Sequence, residues 1–322
     1  MYITINKTHV EVLNGEMLLE TARRAGFDIP SLCYAKNAVH KASCMVCAVK
    51  DCSTGQIFPS CTAIPAEGMQ IDTESEDVQT VRTLSLELLL SDHRADCDAP
   101  CSTVCPQGFD IERMLNLYDT GRHEEAYMLI VKVLKPSELE CDRCKVPCEK
   151  VCRRGTVDKS VPIRNIISEL VAKNKPVSVK SEKNGQKSDK NLFQSRLGRF
   201  TAREKEWLRE NTATLSGCLH CACAGREGCK LRLYATAAGI KRPRYEASSA
   251  LPVMKKQRIT GNMWFEQAKC IRCGLCVYNS NNGFTFKNRG FDMLVVIPDE
   301  NCENVSEKLA ELCPTGALYL IQ

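Results

Sequence analysis

Cysteine dominates the side chains here that can do chemistry, and its spacing is tight. The groups are Cys33-x10-Cys44-x2-Cys47-x13-Cys61, Cys97-x3-Cys101-x3-Cys105, Cys141-x2-Cys144-x3-Cys148-x3-Cys152, Cys218-x2-Cys221-x-Cys223-x5-Cys229, and Cys270-x2-Cys273-x2-Cys276 with the distant Cys313. Four thiolates wrapped around sulfide-bridged iron make an iron–sulfur centre, and four around one tetrahedral ion make a structural zinc site. Spacing alone does not separate the two for the first group. There the small residues Ala42 and Ser43 suit close backbone approach, which lets N–H groups bond sulfur and tune its potential. The last group, three cysteines on one tight loop and a fourth before Pro314, is ferredoxin chemistry, with the proline holding its loop extended. Nineteen of the 21 cysteines fall into these groups, leaving Cys52 and Cys302, the latter expected to be an ordinary small apolar residue.

Positioning these groups requires identifiable elements. Residues 2–13 alternate as two short strands, Tyr2–Asn6 and His9–Leu13, about a Lys7-Thr8 turn. Met17, Leu18, Leu19, Ala22 and Ala25 then recur at helical spacing before Gly26, a C-terminal cap signal. Strand, strand, helix and cysteine loop is the start of a β-grasp ferredoxin. A leucine-rich helix over Val78–Ser91 leads to His93. Residues 110–135 read as a helical hairpin between two cysteine groups, and Ile163–Lys173 as another helix. Asn174–Ser195 is dense in Lys, Ser, Asn and Gly and reads as an exposed linker. Thr201–Asn211, with Thr201 and Glu204 as a capping box, restarts a helix, and Lys230-Leu231-Arg232 opens a short one.

Composition narrows the class. An odd number of thiols in tight groups is not a secreted disulfide framework, and no signal peptide is expected ahead of the first strand. No apolar run reaches the ~18 residues of a membrane span. Net charge is +5 with neutral thiols. Five clusters at about −2 each would take the loaded protein to about −5, so basicity is no argument for nucleic acid. With only 6% aromatic residues there is no stacking platform either, and a nucleic-acid partner is set aside.

Ser31-Leu32-Cys33-Tyr34, Ser43-Cys44-Met45-Val46-Cys47 and Ala66-Glu67-Gly68-Met69 resemble the N-terminal [2Fe–2S] domain of the large iron–sulfur subunit of respiratory complex I, shared with iron-only hydrogenases and NAD-linked formate dehydrogenases. The resemblance runs on through Leu86-Glu87-Leu88-Leu89-Leu90-Ser91-Asp92-His93. In that family a His here, followed by x3-Cys, opens a [4Fe–4S] site with one histidine and three cysteines. The sequence then departs. Asp98-Ala99-Pro100-Cys101, Cys105-Pro106 and Pro147-Cys148-Glu149-Lys150-Val151-Cys152 resemble the iron–sulfur domain of the glutamate synthase small subunit and dihydropyrimidine dehydrogenase, which holds two [4Fe–4S] clusters with interleaved ligands. By that resemblance Cys97, Cys101 and Cys152 serve one cluster, completed by His93 or by Asp92, Asp96 or Asp98. Cys105, Cys144 and Cys148 serve the other, completed by Cys141, since Ile167 stands where relatives place a ligating Gln or Glu. Cys218, Cys221, Cys223 and Cys229 resemble the displaced histidine-plus-three-cysteine motif with Cys218 for the His; His220 is a minor alternative. Cys270, Cys273, Cys276 and Cys313, with Gly283 and Arg289-Gly290-Phe291 between, again resemble the complex I subunit.

The resemblance implies an α+β chain. Its expected parts are a β-grasp [2Fe–2S] ferredoxin domain (1–78), a helical two-[4Fe–4S] domain (79–173), a linker (174–200), a complex I-type [4Fe–4S] module (201–245) and a C-terminal ferredoxin-like [4Fe–4S] domain (246–322). One [2Fe–2S] and four [4Fe–4S] clusters are expected. No G-x-G-x-x-G follows a strand, no acid–base or nucleophile constellation is present, and His9, His40 and His123 are isolated. Flavin and NAD(P) are therefore expected only on a partner. The implied role is an electron-transfer subunit without a catalytic site of its own, relaying electrons between a flavoprotein NAD(P)H dehydrogenase subunit and ferredoxin or another redox subunit. The expected setting is an anaerobic cytoplasm, free or peripheral to a membrane complex. Alternatives are a relay feeding a formate dehydrogenase or hydrogenase, a zinc-stapled interaction protein, and an iron–sulfur redox sensor.

Overall fold

Ile3 and Ile5 are fully buried while Tyr2 is exposed, and the computed structural model pairs this stretch, β1 (Tyr2–Ile5), antiparallel with β2 (Thr8–Glu11). The structure describes residues 1–93, 97–134, 140–174, 202–211, 214–222, 229–240, 245, 256–281, 283–297 and 305–320. Helix α1 (Leu18–Arg24) starts with Glu20 accepting from the Met17 N–H at 3.1 Å. It ends because Gly26, at φ +90°, turns its own N–H and that of Phe27 back to the Arg23 and Ala22 carbonyls. Strands β3 (Ala48–Asp51), β4 (Ile57–Pro59) and β5 (Gln70–Asp72) complete a mixed sheet of order β2-β1-β5-β3-β4. Strand β5 runs parallel to β1 with Ile5 opposite Ile71, and every other pair is antiparallel. Leu18, Leu19 and Ala22 of α1 pack on Ile3, Ile5, Val49 and Ile71, each large side chain contributing about 1.5–3 kcal/mol by burial.

Helix α2 (Glu76–Asp92) carries Glu76 and Asp77 in its first turn, where acidic groups suit the helix dipole. Its buried Arg82 donates from Nε and Nη2 to the Ala48 carbonyl at 3.0 and 2.7 Å, tying α2 to β3 directly beside Cys47.

The next elements are helical: α3 (Pro100–Thr103), α4 (Ile111–Asp119), α5 (His123–Leu134), α6 (Glu140–Arg143), α7 (Pro147–Lys150), α8 (Ile163–Lys173) and α9 (Ala202–Asn211). Asp110 caps α4 by accepting from the Arg113 N–H at 3.2 Å. Gly121, at φ +76°, lets the chain reverse into α5. Ile111, Met114 and Leu115 of α4, Ile130 of α5, and Ile163, Ile167 and Leu170 of α8 share one core with Cys101, Cys148 and Cys218.

The last segment opens with α10 (Lys230–Ala237), which packs on α2. Strands β6 (Lys256–Thr260) and β7 (Met263–Glu266), helix α11 (Leu275–Tyr278), the β8 (Thr285–Lys287) and β9 (Leu294–Val296) hairpin, α12 (Lys308–Leu312) and β10 (Leu318–Leu320) follow. An antiparallel sheet of order β10-β7-β6, with Leu318 opposite Phe265, covers a core of Ile259, Phe265, Phe284, Val295 and Leu309.

The chain thus mixes helix and strand, as an α+β chain should. Its described residues divide into two units, one of residues 1–93 with 229–320 and one of residues 97–222. No helix among the described residues is long and apolar enough to cross a membrane.

Candidate metal centres

In the first unit Cys33, Cys44, Cys47 and Cys61 are all buried, delivered by the loop after α1, the approach to β3 and the turn after β4. Their thiols lie close enough to shift one another, Cys33 with Cys44 and Cys61, and Cys47 with Cys61. The Ser43 and Cys44 N–H groups also aim at the Cys33 sulfur. Hydrogen bonds from Cys44 and Cys61 draw the Cys33 thiol well below the usual range, and the bond from Cys61 draws Cys47 down to about 6. Cys44 and Cys61 are pushed up in return, chiefly by the same bonds to Cys33. Cys52 is exposed, apart from this group.

At the other end of this unit Cys270, Cys273 and Cys276 ring a loop opposite Cys313, close enough for each of the three to feel the Cys313 charge. The Arg272 N–H donates to Cys270 Sγ at 3.3 Å and the Leu318 N–H to Cys313 Sγ at 3.5 Å. Burial pushes all three loop thiols up, Cys276 to about 12. Gly274 sits at φ +81°, and a Cβ there would stand 2.5 Å from the Tyr278 ring. The two cysteine loops face one cleft of about 310 Å³ lined by Ser43, Cys44, Met45, Cys270, Arg272 and Cys273. They are fastened by paired bonds between Val39 and Asn279, 2.8 Å from the Val39 N–H and 2.7 Å to its carbonyl, and by Lys41 4.9 Å from the Tyr278 ring.

Cys229, at the start of α10, also feels Cys313, and burial raises its thiol. The Lys230 N–H donates to the Pro314 carbonyl at 2.9 Å, holding that start against the Cys313 loop. His93 caps the end of α2 and is half-buried.

The second unit holds two more groups. Cys105, Cys141, Cys144 and Cys148 line a cavity of about 440 Å³, many times the ~30 Å³ of a water. Ile167 is part of its apolar wall. Burial pushes Cys148 up to about 11. Arg164 bonds the Cys144 carbonyl, while its Nε is buried without a hydrogen-bond partner. The other group is Cys101, Cys152, Cys218 and Cys221, lining a small cavity with Arg153 and Arg154. Burial pushes Cys101 up, reinforced by the nearby Cys218 and Cys152.

The sequence grouping of Cys218, Cys221, Cys223 and Cys229 is therefore dealt out differently. Cys218 and Cys221 share a cavity with Cys101 and Cys152, Cys229 lies in the first unit beside Cys313, and Cys223 lies outside the described residues, as do Asp96 and Cys302. Cys97 is half-buried in the second unit and lines neither of these two cavities. No three His, Cys, Asp or Glu side chains among the described residues stand as close as ligands of one metal ion; the two thiol groups of the second unit ring cavities instead.

His220 is not presented as a ligand. Its Nδ1 lies 3.1 Å from Glu112 Oε1 and its Nε2 3.0 Å from Asp119 Oδ2, so both ring nitrogens donate and the ring is an imidazolium. Burial opposes that charge, but bonds to Asp119, Cys218 and Glu112 outweigh it and push the ring up to about 11. Asp119 also accepts from the Ser216 N–H and hydroxyl at 2.7 and 2.8 Å, so the end of α4 fixes the loop that carries Cys218.

A backbone feature escaped the sequence reading. Met45, Val146, His220 and Arg272 have φ of +54°, +53°, +46° and +55°, one inside each of four cysteine loops. Such residues cost roughly 1–2 kcal/mol each in this region. They turn successive N–H groups inward, the geometry of an anion-binding nest. Only the short spacing between cysteines hinted at it.

Comparison with known proteins agrees with this chemistry. Residues 1–76 match the family model of a 2Fe-2S iron-sulfur cluster binding domain, and residues 263–320 that of a 4Fe-4S single cluster domain. The chain is 28% identical over 176 residues to an NADH-quinone oxidoreductase subunit of Rhizobium meliloti, covering 49% of this chain and 20% of that one. It is 27% identical to the NADPH-Fe(3+) oxidoreductase subunit alpha of Geobacter sulfurreducens, covering 46% and 18%. With the NADP-reducing hydrogenase subunit HndD of Solidesulfovibrio fructosivorans it shares 30%, covering 48% and 28%. The chain thus spans about a fifth to a quarter of the length of these curated relatives. A crystal structure of NAD+-reducing [NiFe]-hydrogenase shares the fold at TM-score 0.50 and 17% identity, covering 99% of this chain and 86% of that one. The chain is homologous to subunits of NADH- and NADP(H)-linked oxidoreductases and hydrogenases, with a 2Fe-2S domain at its start and a 4Fe-4S domain toward its end.

Proposed function

We propose that this chain is an iron–sulfur electron relay within an oxidoreductase complex, taking electrons from a flavoprotein subunit that oxidises NADH or NADPH and passing them to another redox partner. The observation that carries the reading is the shared cleft of the first unit, where the Cys44 and Cys270 loops face each other and are fastened by Val39 and Asn279. Iron–sulfur clusters bound at such loops supply one-electron steps at potentials set by their surroundings. The protein's own part is to hold the thiols, point N–H groups at sulfur and keep water out. Ser43, Arg272 and Leu318 do the second of these.

Cys33, Cys44, Cys47 and Cys61 hold the [2Fe–2S] cluster in a β-grasp frame, a reading supported by the mixed sheet with its parallel β1–β5 pair. Cys270, Cys273, Cys276 and Cys313 hold a [4Fe–4S] cluster in a ferredoxin-like frame. Cys105, Cys141, Cys144 and Cys148 hold another, supported by the wide cavity and the orphaned Arg164 Nε beside it. Five clusters in all are proposed. The relatives named for NADH, NADPH or NADP motivate the donor, and their names differ on the other side, a quinone, Fe(3+) or a hydrogenase; ferredoxin or another redox subunit is the acceptor in this reading. The complex is placed in the cytoplasm, free or at a membrane surface.

The native complex, isolated anaerobically, is expected to contain flavin, and NADH or NADPH should bleach its visible absorption. A complex without flavin, or one bleached by dithionite but by neither nucleotide, contradicts the assignment.

A further inference from the structure

We propose that Cys101, Cys152, Cys218 and Cys221 are the four ligands of one [4Fe–4S] cluster, an assignment that rests on reading the chain as an iron–sulfur protein. The four thiols come from three separated segments: helix α3, the loop after α7, and the loop 214–222. They line one cavity, and Cys101 feels both Cys152 and Cys218. Eight cysteines of the second unit thereby fall into two fours around two cavities, the donor count that two four-iron clusters require.

The surroundings fit an anionic group. Four thiolates on an oxidised four-iron core leave a net charge of about −2, which a buried site must balance. Arg154 lies within reach of Cys152 and Cys218, and while its Nε and Nη2 bind Asp158, its Nη1 is buried with no hydrogen-bond partner. An orphaned cationic donor at a thiol-lined cavity is costly unless an acceptor occupies that cavity. The His220 N–H donates to Cys218 Sγ at 3.4 Å, and the imidazolium behind it is locked between Glu112 and Asp119. Cys218 is itself fixed, its N–H donating to Ser216 Oγ at 3.0 Å while Ser216 is clamped by Asp119. The ligand pair delivered by the later loop is therefore built into the helical unit rather than loosely attached to it. His93, Cys97, Cys223 and Cys229 remain as four further donors, so the total available for five clusters is unchanged.

The test is whether the two pairs act as one site. In the full chain, purified anaerobically, the wild type should contain about 18 iron and 18 sulfide. C101S/C152S and C218S/C221S should each lose about four of each, and the quadruple variant should lose no more than either pair. If the pairs belong to different clusters, losses add and the quadruple variant falls to about 10 iron, which overturns the assignment. Single variants guard against misfolding. Cys152→Ser and Cys221→Ser each keep three thiolates and should perturb the same reduced-state EPR signal, whereas perturbation of two different signals overturns the proposal. A wild type without acid-labile sulfide would instead overturn the iron–sulfur reading itself.

Discussion

At Gly274 a side chain has no room: the backbone is left-handed and the Tyr278 ring lies where a Cβ would go. Gly274→Ala is expected to cost about 1–3 kcal/mol and to disturb the 4Fe-4S cluster proposed at the Cys270 loop. An unchanged thermal midpoint and an unchanged EPR spectrum would contradict this. Asp119 makes a second residue-scale prediction. Removing one partner of a buried ion pair costs on the order of 3 kcal/mol, so Asp119→Ala should lower the midpoint substantially. Asp119→Asn, which keeps one acceptor oxygen for the Ser216 N–H, should lower it less; an Asn variant as stable as the wild type would show that the charge facing His220 is irrelevant. The cysteines were legible one by one because ligand spacing is local. His220 was not, because its carboxylate partners lie 108 and 101 residues away along the chain.

Among elements, α2 depends on one buried side chain. Arg82 gives the Ala48 carbonyl two hydrogen bonds next to Cys47, and Arg82→Met would leave that carbonyl buried without them. The expected cost is roughly 1–3 kcal/mol, read by denaturant titration, with a shifted [2Fe–2S] EPR signal. A signal identical to wild type would show that α2 does not support the Cys47 loop. Helix Ile163–Lys173 appears over the residues that its apolar periodicity marks, because one stripe of Ile163, Ile166, Ile167 and Leu170 faces the core. The start of α2 was read two residues late, since Glu76 and Asp77 carry no apolar signal although they suit a helix N-terminus. The order β10-β7-β6 was not legible either: it joins strands separated by the whole Cys270–Cys313 segment, and such pairing leaves no mark on local sequence.

For the molecule as a whole, the sequence suggested domains strung in order, whereas residues 1–93 and 229–320 fold as one unit with residues 97–222 as another. The bonds between Val39 and Asn279 span 240 positions, a relation that no window along the chain contains. Cys101, Cys148 and Cys218 belong to the hydrophobic core of the second unit, so if they hold clusters as proposed, cluster loss should loosen that core. Removing iron by oxidant and chelator is expected to lower the unfolding temperature and increase proteolysis between residues 97 and 222. Equal stability with and without iron would contradict that coupling. The most direct test of the relay is coulometry on the anaerobic protein, counting the electrons that each chain accepts and returns. About five one-electron equivalents are predicted, one for each cluster. A chain that accepts none, holding zinc or disulfides in place of iron and sulfide, would contradict the account at its centre.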